Sequence, residues 1–127
     1  MAIKHEVPTA PEMPTPYGHY SQVVKAGDLL FVSGQGGIDQ ATGELAGPGF
    51  EAQARQAFTN LATVLKVAGS GMEQVVKTTV FLADINEYAT MNTLYAEFFP
   101  NLPPARSTPV VALPKGLLMS IECIAMV

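Results

Sequence analysis

Short runs of apolar residues separated by turn residues predict the strands of this chain. Residues 20–35, YSQVVKAGDLLFVSGQ, contain two such runs around Gly27, and this pattern is typical of a hairpin. Residues 75–82, VVKTTVFL, are rich in β-branched side chains and predict a further strand. Residues 105–112 and 118–126 predict two closing strands around the turn LPKG.

Helical spacing of apolar residues predicts a long helix that begins at Phe50. Its apolar positions recur every three or four residues and are Phe50, Ala54, Ala57, Phe58, Leu61, Val64, Leu65 and Ala68. Glu51 and Arg55 are four residues apart and can form an ion pair on the helix surface. Gly69 is placed to end the helix.

A second helix is predicted over residues 85–99, with Asp84 at its start and Pro100 at its end. Its apolar stripe contains Ile85, Tyr88, Tyr95 and Phe99. Asn92 falls on the same stripe, where the amide needs hydrogen-bonding partners.

The resulting element order, ββαβαββ, predicts an α+β fold with two helices on one face of a mostly antiparallel sheet. The other face must then be covered by another subunit. A proline-rich arm, residues 1–16, precedes the hairpin, and the glycine-rich segment 36–49 is interpreted as irregular surface structure. The length of 127 residues predicts one domain.

Composition favours a homo-oligomer, because 48% of the residues are hydrophobic and only 14% are charged. The net charge of −4 argues against nucleic acid as a partner, which requires clustered cations. No apolar run is long enough to span a membrane, and the first residues resemble no signal peptide, so a cytoplasmic protein is expected.

Few residues of this chain suggest chemistry by their type and spacing alone. His5, His19 and Cys123 have no metal-ligand spacing, so no metal site is expected. Cys123 shares one side of the last strand with apolar residues and is interpreted as a buried thiol. Ser120 and Glu122 lie together on the opposite side of that strand, where a carboxylate is ordinarily solvated.

Arg106 stands out in the segment PPARSTPVV, residues 103–111. It is one of two arginines, and prolines restrict the backbone around it. Ser107 and Thr108 add hydroxyl groups, and a guanidinium can hold a carboxylate through two parallel hydrogen bonds. The residues alone indicate either a solvated surface charge or an anion site at Arg106.

A set of motifs resembles the RidA family, also called the YjgF family. The motifs are GHYSQVV, LLFVSGQ, AQARQAFTNLATVLKVAG, VVKTTVFLADINEYATMNTLYAEFF, PPARST, LPKG and IECIA, and they run from about residue 17 to the C-terminus. The resemblance implies a fold like the bacillus type of chorismate mutase, assembled as a homotrimer with clefts between subunits.

The same resemblance implies an activity that needs no cofactor. It is the hydrolysis of 2-iminobutanoate, 2-iminopropanoate and their enamine forms to 2-keto acids and ammonia. By position, Arg106 is implied to hold the substrate carboxylate and to be a catalytic residue. Tyr20, Ser33, Gly34 and Asn92 are implied to line the cleft.

The sequence departs from the enzymatic pattern of the family at several positions, and two of them bear directly on the implied site. Ser120 stands where relatives with this activity commonly carry a glutamate, and Thr108 stands where many carry cysteine. Both are predicted to contact the substrate, and Glu122 is predicted to take the catalytic role because it lies on the same strand face. The loss of glutamate at position 120 leaves a second hypothesis, a non-catalytic trimer that binds small carboxylates or a partner protein. A ribonuclease activity, credited to some relatives, is disfavoured by the acidic charge.

Overall fold

The computed structural model describes residues 5–127 and contains one large sheet, one small hairpin and two helices. The strands are β1 (Val23–Ala26), β2 (Leu29–Gly36), β3 (Ile38–Asp39), β4 (Glu44–Leu45), β5 (Val75–Leu82), β6 (Ala105–Ser107) and β7 (Met119–Met126). The large sheet has the order β1-β2-β7-β5-β6. All its neighbouring strands are antiparallel except β5 and β6, which are parallel. The predicted α+β class and mostly antiparallel sheet are confirmed.

The long helix, α1 (Phe50–Val67), has the predicted position. It ends because Gly69 adopts a positive φ of 85°, which costs glycine little. The next residue, Ser70, then donates its backbone N–H back to the carbonyl of Leu65 at 2.8 Å.

The second helix, α2 (Tyr88–Phe98), begins three residues later than predicted. Residues Ile85–Glu87 form a single 3₁₀ turn instead of the first turn of an α-helix. The Asp84 carboxylate caps this turn by accepting a hydrogen bond from the backbone N–H of Asn86 at 2.9 Å.

The predictions for segments 36–49 and 105–112 are wrong in part. Segment 36–49 is not wholly irregular, since it contains the small antiparallel hairpin β3–β4. The strand predicted over 105–112 ends at Ser107. Pro109 has no backbone N–H to continue the ladder, and its carbonyl accepts from Leu82 at 3.0 Å before a single bridge forms at Val110.

The core lies between the two helices and one face of the sheet. Phe58 of α1 is fully buried and stacks on Phe98 of α2, with 4.7 Å between the ring centroids. At the surface, the Arg55 guanidinium donates to Glu51 at 3.2 Å, as predicted, and to Glu97 of α2 at 2.8 Å. The aromatic stack packs α2, the helix that carries several candidate site residues, against α1, and the exposed ion pairs add little to this packing.

Within residues 5–127, no helix covers the opposite face of the sheet. Phe31 and Ile124 pair across β2 and β7 on this face, and Leu29 pairs with Met126. Phe31 is 43% exposed and Met126 is 45% exposed. We call this surface, with Leu29, Phe31, Ile124 and Met126, the open face. Burying it would remove a continuous apolar patch from water.

The N-terminal arm follows the outer edge of the sheet. Glu6 and Lys25 exchange two backbone hydrogen bonds of 2.9 and 2.8 Å. Residues 1–4 of the predicted arm lie outside the described residues. Within residues 5–127, no helix combines the length and apolar character needed to cross a lipid bilayer.

Candidate functional site

Arg106 lies on the edge strand β6, where it pairs with Thr78 of β5. Its guanidinium carbon is 4.8 Å from the ring centroid of Tyr95 and 5.7 Å from that of Tyr88, both on α2. Nη2 donates a hydrogen bond to the hydroxyl oxygen of Tyr88 at 3.1 Å. The cation is therefore held against two aromatic rings, an arrangement that stabilises a guanidinium without neutralising its charge.

Arg106 has no carboxylate partner among residues 5–127. The ion pairs in this part of the chain join Arg55 to Glu51 and to Glu97. Arg106 is half-buried, and only the Tyr88 hydroxyl and the Met91 sulfur, 3.8 Å from Nη1, accept from it. Several of its N–H groups therefore remain available to an anion.

Tyr95 supports the guanidinium from the core side. Its hydroxyl shares a 2.7 Å hydrogen bond with the buried Thr78 hydroxyl. Burial raises the pKa of the Tyr95 phenol, while the hydrogen bond with Thr78 and the charge on Arg106 act in the opposite direction. The phenol is therefore neutral at physiological pH and cannot act as a counterion for Arg106.

Asn92 lies on α2, the helix that contacts Arg106, and Thr108 lies two residues after Arg106 in the chain. Asn92 follows Tyr88 by four residues on α2 and therefore shares its helix face. Both Asn92 and Thr108 are half-buried, and neither side chain hydrogen-bonds within the described chain. The amide predicted to need partners thus has its polar atoms available on the helix face that also carries Tyr88, a contact of the guanidinium.

Three of the predicted binding residues, Tyr20, Gly34 and Ser120, line a separate cavity of about 400 Å³. The arm, β2, the start of β7 and the turn Pro114–Gly116 enclose it. A Cβ atom on Gly34 would lie 2.7 Å from the Ser120 Oγ, so glycine allows the serine hydroxyl to approach the strand. Arg106 does not reach this cavity in the same protomer.

Ser33 is placed differently from its predicted role. Val32 pairs with Cys123 and Gln35 pairs with Ile121, so both Ser33 and Gly34 oppose one residue of β7, which defines a bulge. The Ser33 hydroxyl donates to the carbonyl of Ser21 at 2.7 Å and does not line the cavity. Ser33 shapes the strand that presents Gly34.

Glu122 faces the side of the sheet that carries the open face. It pairs with Thr79 of β5 and borders a shallow depression with Lys77 and Ile124. Arg106 pairs with Thr78, the neighbour of Thr79, and its side chain packs against α2 on the other side. Since successive strand residues point to opposite faces, the two predicted catalytic residues are not brought together within one protomer.

The sequence interpretation missed the tyrosines around Arg106. Tyr88 and Tyr95 were assigned to the apolar stripe of α2, and they are seven residues apart, hence two turns along one face. The available signal was chemical: two phenols share this face with the amide of Asn92, an unusual concentration of polar groups for a core stripe.

Metal and thiol chemistry have no support in the described part of the chain. No group of three or more His, Cys, Asp or Glu within residues 5–127 could hold a metal ion. Cys123 is buried, and desolvation raises the pKa of its thiol to about 12. The thiol is protonated at neutral pH and is therefore a poor nucleophile.

A family model described as Endoribonuclease L-PSP matches residues 10–127. The chain belongs to this family, which includes the RidA proteins. The RidA family resemblance of the motifs is thereby confirmed over almost the whole chain.

RidA family members with named activities are similar to this chain. The 2-iminobutanoate/2-iminopropanoate deaminase of Rattus norvegicus is 43% identical over 125 residues, which cover 98% of this chain and 91% of the relative. The chloroplastic Reactive Intermediate Deaminase A of Arabidopsis thaliana is 42% identical over 125 residues, covering 98% of this chain and 67% of the relative.

A solved structure of the family has the same fold. A protein of Entamoeba histolytica described as a putative endoribonuclease L-PSP has a TM-score of 0.93 and 46% identity. The alignment covers 98% of this chain and all of that one. TdcF of E. coli, solved with bound serine, has a TM-score of 0.90 and 34% identity, with 96% and 98% of the chains covered.

Proposed function

We propose that this protein hydrolyses reactive 2-imino and 2-enamino acids, such as 2-iminobutanoate and 2-iminopropanoate, to 2-keto acids and ammonia. Relatives named as deaminases, at about 42% identity, support an enzyme of this kind. The observation that carries the proposal is the Arg106 guanidinium, which is held against two aromatic rings and lacks a carboxylate partner in the described chain.

The reaction suits a site that mainly positions its substrate. Water adds to C2 of the protonated imine, a proton moves to nitrogen, and the C–N bond breaks to release ammonia and a 2-keto acid. Arg106 would hold the carboxylate next to C2, so that one face of the C=N bond is presented to water. Such orientation removes part of the entropic barrier to the addition step.

The complete site is proposed to form between subunits of a homotrimer. Arg106, Asn92 and Thr108 form one half at the edge of the sheet, and the cavity lined by Tyr20, Gly34 and Ser120 forms the other half. The open face supplies the apolar surface that such an assembly would bury. In this arrangement, the cavity of one protomer receives the substrate that Arg106 of the next protomer holds.

Glu122 is proposed to place or activate the attacking water. It points to the side of the sheet that the assembly would cover, and it opposes the bulge that presents Gly34. Ser120 is two residues earlier on the same face, roughly 7 Å away. A carboxylate at this location can accept the proton that water loses as it adds to carbon.

A coupled assay tests the activity directly. A threonine dehydratase generates 2-iminobutanoate from threonine, and the release of 2-ketobutyrate is followed with and without the protein. We expect the wild-type protein to accelerate the release and Arg106→Ala to abolish the acceleration. A wild-type protein without effect, in its assembled form, would overturn the proposal.

The chain offers a matched control in its second arginine. Arg55 lies on the exposed surface and contacts Glu51 and Glu97, away from both halves of the proposed site. Arg55→Ala removes the same charge and side chain from the protein but should leave the acceleration unchanged. Equal losses in both variants would indicate a general effect of charge instead of substrate binding by Arg106.

A further inference from the structure

The Tyr88 hydroxyl lies directly beside the Arg106 guanidinium. Its oxygen accepts a hydrogen bond from Nη2 at 3.1 Å. A phenol has one hydrogen of its own, which must point away from a group that already donates to the oxygen. Tyr88 is 39% exposed, and its O–H has no acceptor within residues 5–127. The hydroxyl is therefore an unused donor beside an unpaired cation.

Tyr95 provides the contrast, although its ring also contacts the guanidinium. Its hydroxyl is engaged with the Thr78 hydroxyl at 2.7 Å, and the residue is buried. The Tyr95 ring thus supports Arg106 from below, while its polar atom belongs to the core. The two tyrosines have similar distances to the cation and different uses for their hydroxyl groups.

We propose that Tyr88 and Arg106 together form a clamp for the substrate carboxylate. One carboxylate oxygen accepts from the guanidinium, and the other accepts from the Tyr88 O–H. Because Nη2 donates to the Tyr88 oxygen, the guanidinium polarises the phenol and strengthens its donation to an anion. This assignment rests on the proposed function and adds Tyr88 as a specificity-determining residue.

If the clamp is correct, the site should bind ligands with a planar carboxylate more tightly than ligands with another anionic group or with an uncharged group in its place. The Arg106–Tyr88 hydrogen bond fixes the hydroxyl relative to the guanidinium plane, so two oxygens separated as in a carboxylate can be met at once. Without the hydroxyl, the guanidinium still attracts the anion but no longer has a second donor to orient it.

The test compares Tyr88→Phe with Tyr95→Phe, because each removes one hydroxyl next to the same guanidinium. The probe is 2-ketobutyrate, whose affinity is measured by isothermal titration calorimetry on the assembled protein. Loss of a hydrogen bond to a charged group predicts a rise in Kd of about tenfold or more for Tyr88→Phe. Its melting temperature should stay close to that of the wild type.

Tyr95→Phe should give the reverse pattern. It leaves the Thr78 hydroxyl buried without its partner, so the melting temperature should fall. Its effect on Kd should be far smaller than that of Tyr88→Phe. In the deaminase assay, Tyr88→Phe should raise KM more than it lowers kcat, a split that a loss of stability alone would not produce.

The outcomes separate this inference from the proposed activity. Catalysis by the wild type together with an unchanged Kd and KM in Tyr88→Phe would overturn the clamp and leave the deaminase proposal standing. Binding of 2-ketobutyrate that depends on Tyr88, without any deaminase activity, would support the clamp and overturn the proposed reaction. A wild-type protein that does not bind millimolar 2-ketobutyrate would overturn the clamp.

Discussion

The side chains of Arg106 and Glu122 lie on opposite faces of the large sheet. Arg106 packs against α2, whereas Glu122 borders the shallow depression next to Lys77 and Thr79. A protomer by itself therefore cannot apply both groups to one small molecule. If both residues act in one reaction, a second copy of the chain must bring one of them to the substrate.

Mixing two inactive variants tests this sharing of residues. Arg106→Ala loses the cation, and Tyr20→Ala removes an aromatic side chain from the cavity, so each variant alone should be nearly inactive. When they are unfolded together and reassembled at equal concentrations, about a quarter of the clefts of a cyclic assembly should combine two intact halves. Activity that stays at the level of the separate variants would contradict a site shared between protomers.

Phe31 provides a test of the assembly through the open face. It is 43% exposed and pairs with Ile124 on this apolar surface. Phe31→Asp would place a charge in the proposed interface, so the protein should elute as a monomer in size-exclusion chromatography with light scattering. Leu102→Asp is the matched control, because Leu102 is 95% exposed and lies outside the sheet. An assembled Phe31→Asp protein would exclude this interface.

Glu122 should affect the chemical step more than substrate binding. Glu122→Gln keeps the shape of the side chain but removes the proton acceptor, so kcat should fall about 100-fold with KM nearly unchanged. In this background, Ser120→Glu restores a carboxylate on the same face and should recover part of the activity. Unchanged kcat in Glu122→Gln would show that another group activates the water.

The buried thiol of Cys123 should make the protein less stable at alkaline pH. Burial raises the pKa of its thiol from the ordinary 9.0 to about 12, so the folded chain holds this proton more tightly than the unfolded chain does. Its contribution to the free energy of unfolding is complete below a pH of about 9. This contribution then decreases as the pH rises towards 12, by at most about 1.4 kcal/mol per pH unit.

Urea unfolding at several pH values measures this effect. Above pH ~9, the stability of Cys123→Ala should fall less steeply than that of the wild type. Some slope should remain, because the pKa of Tyr95 is also raised by burial. Identical slopes in the two proteins would contradict the proposed state of the thiol.

Local patterns in the sequence were sufficient for the elements with long periodic signals. The apolar spacing from Phe50 and the β-branched run 75–82 predicted α1 and β5 correctly. The strands of the small hairpin β3–β4 have two residues each, too few for any periodicity. Pro109 was a local signal for the end of β6, but the parallel pairing of β6 with β5 is not specified by local sequence.

The candidate site was only partly predictable for the same reason. An unusual context identified Arg106, but its contacts with Tyr88 and Tyr95 depend on how α2 packs beside the sheet edge. The alternation of side chains along a strand did correctly place Ser120 and Glu122 on one face of β7. Whether Arg106 lies on the same sheet face as Glu122 depends on the register of β5, β6 and β7. This register is set only in the folded sheet.

Neither edge of the large sheet favours the addition of a strand from another copy of this chain. At one margin, Glu6 already uses the backbone groups of Lys25, and at the other, β6 has three residues between Pro104 and Pro109. Proline cannot donate to an added strand, so neither margin is a good template for fibril-like extension. The assembly proposed above would therefore use the open face of the sheet and not strand addition at its edges.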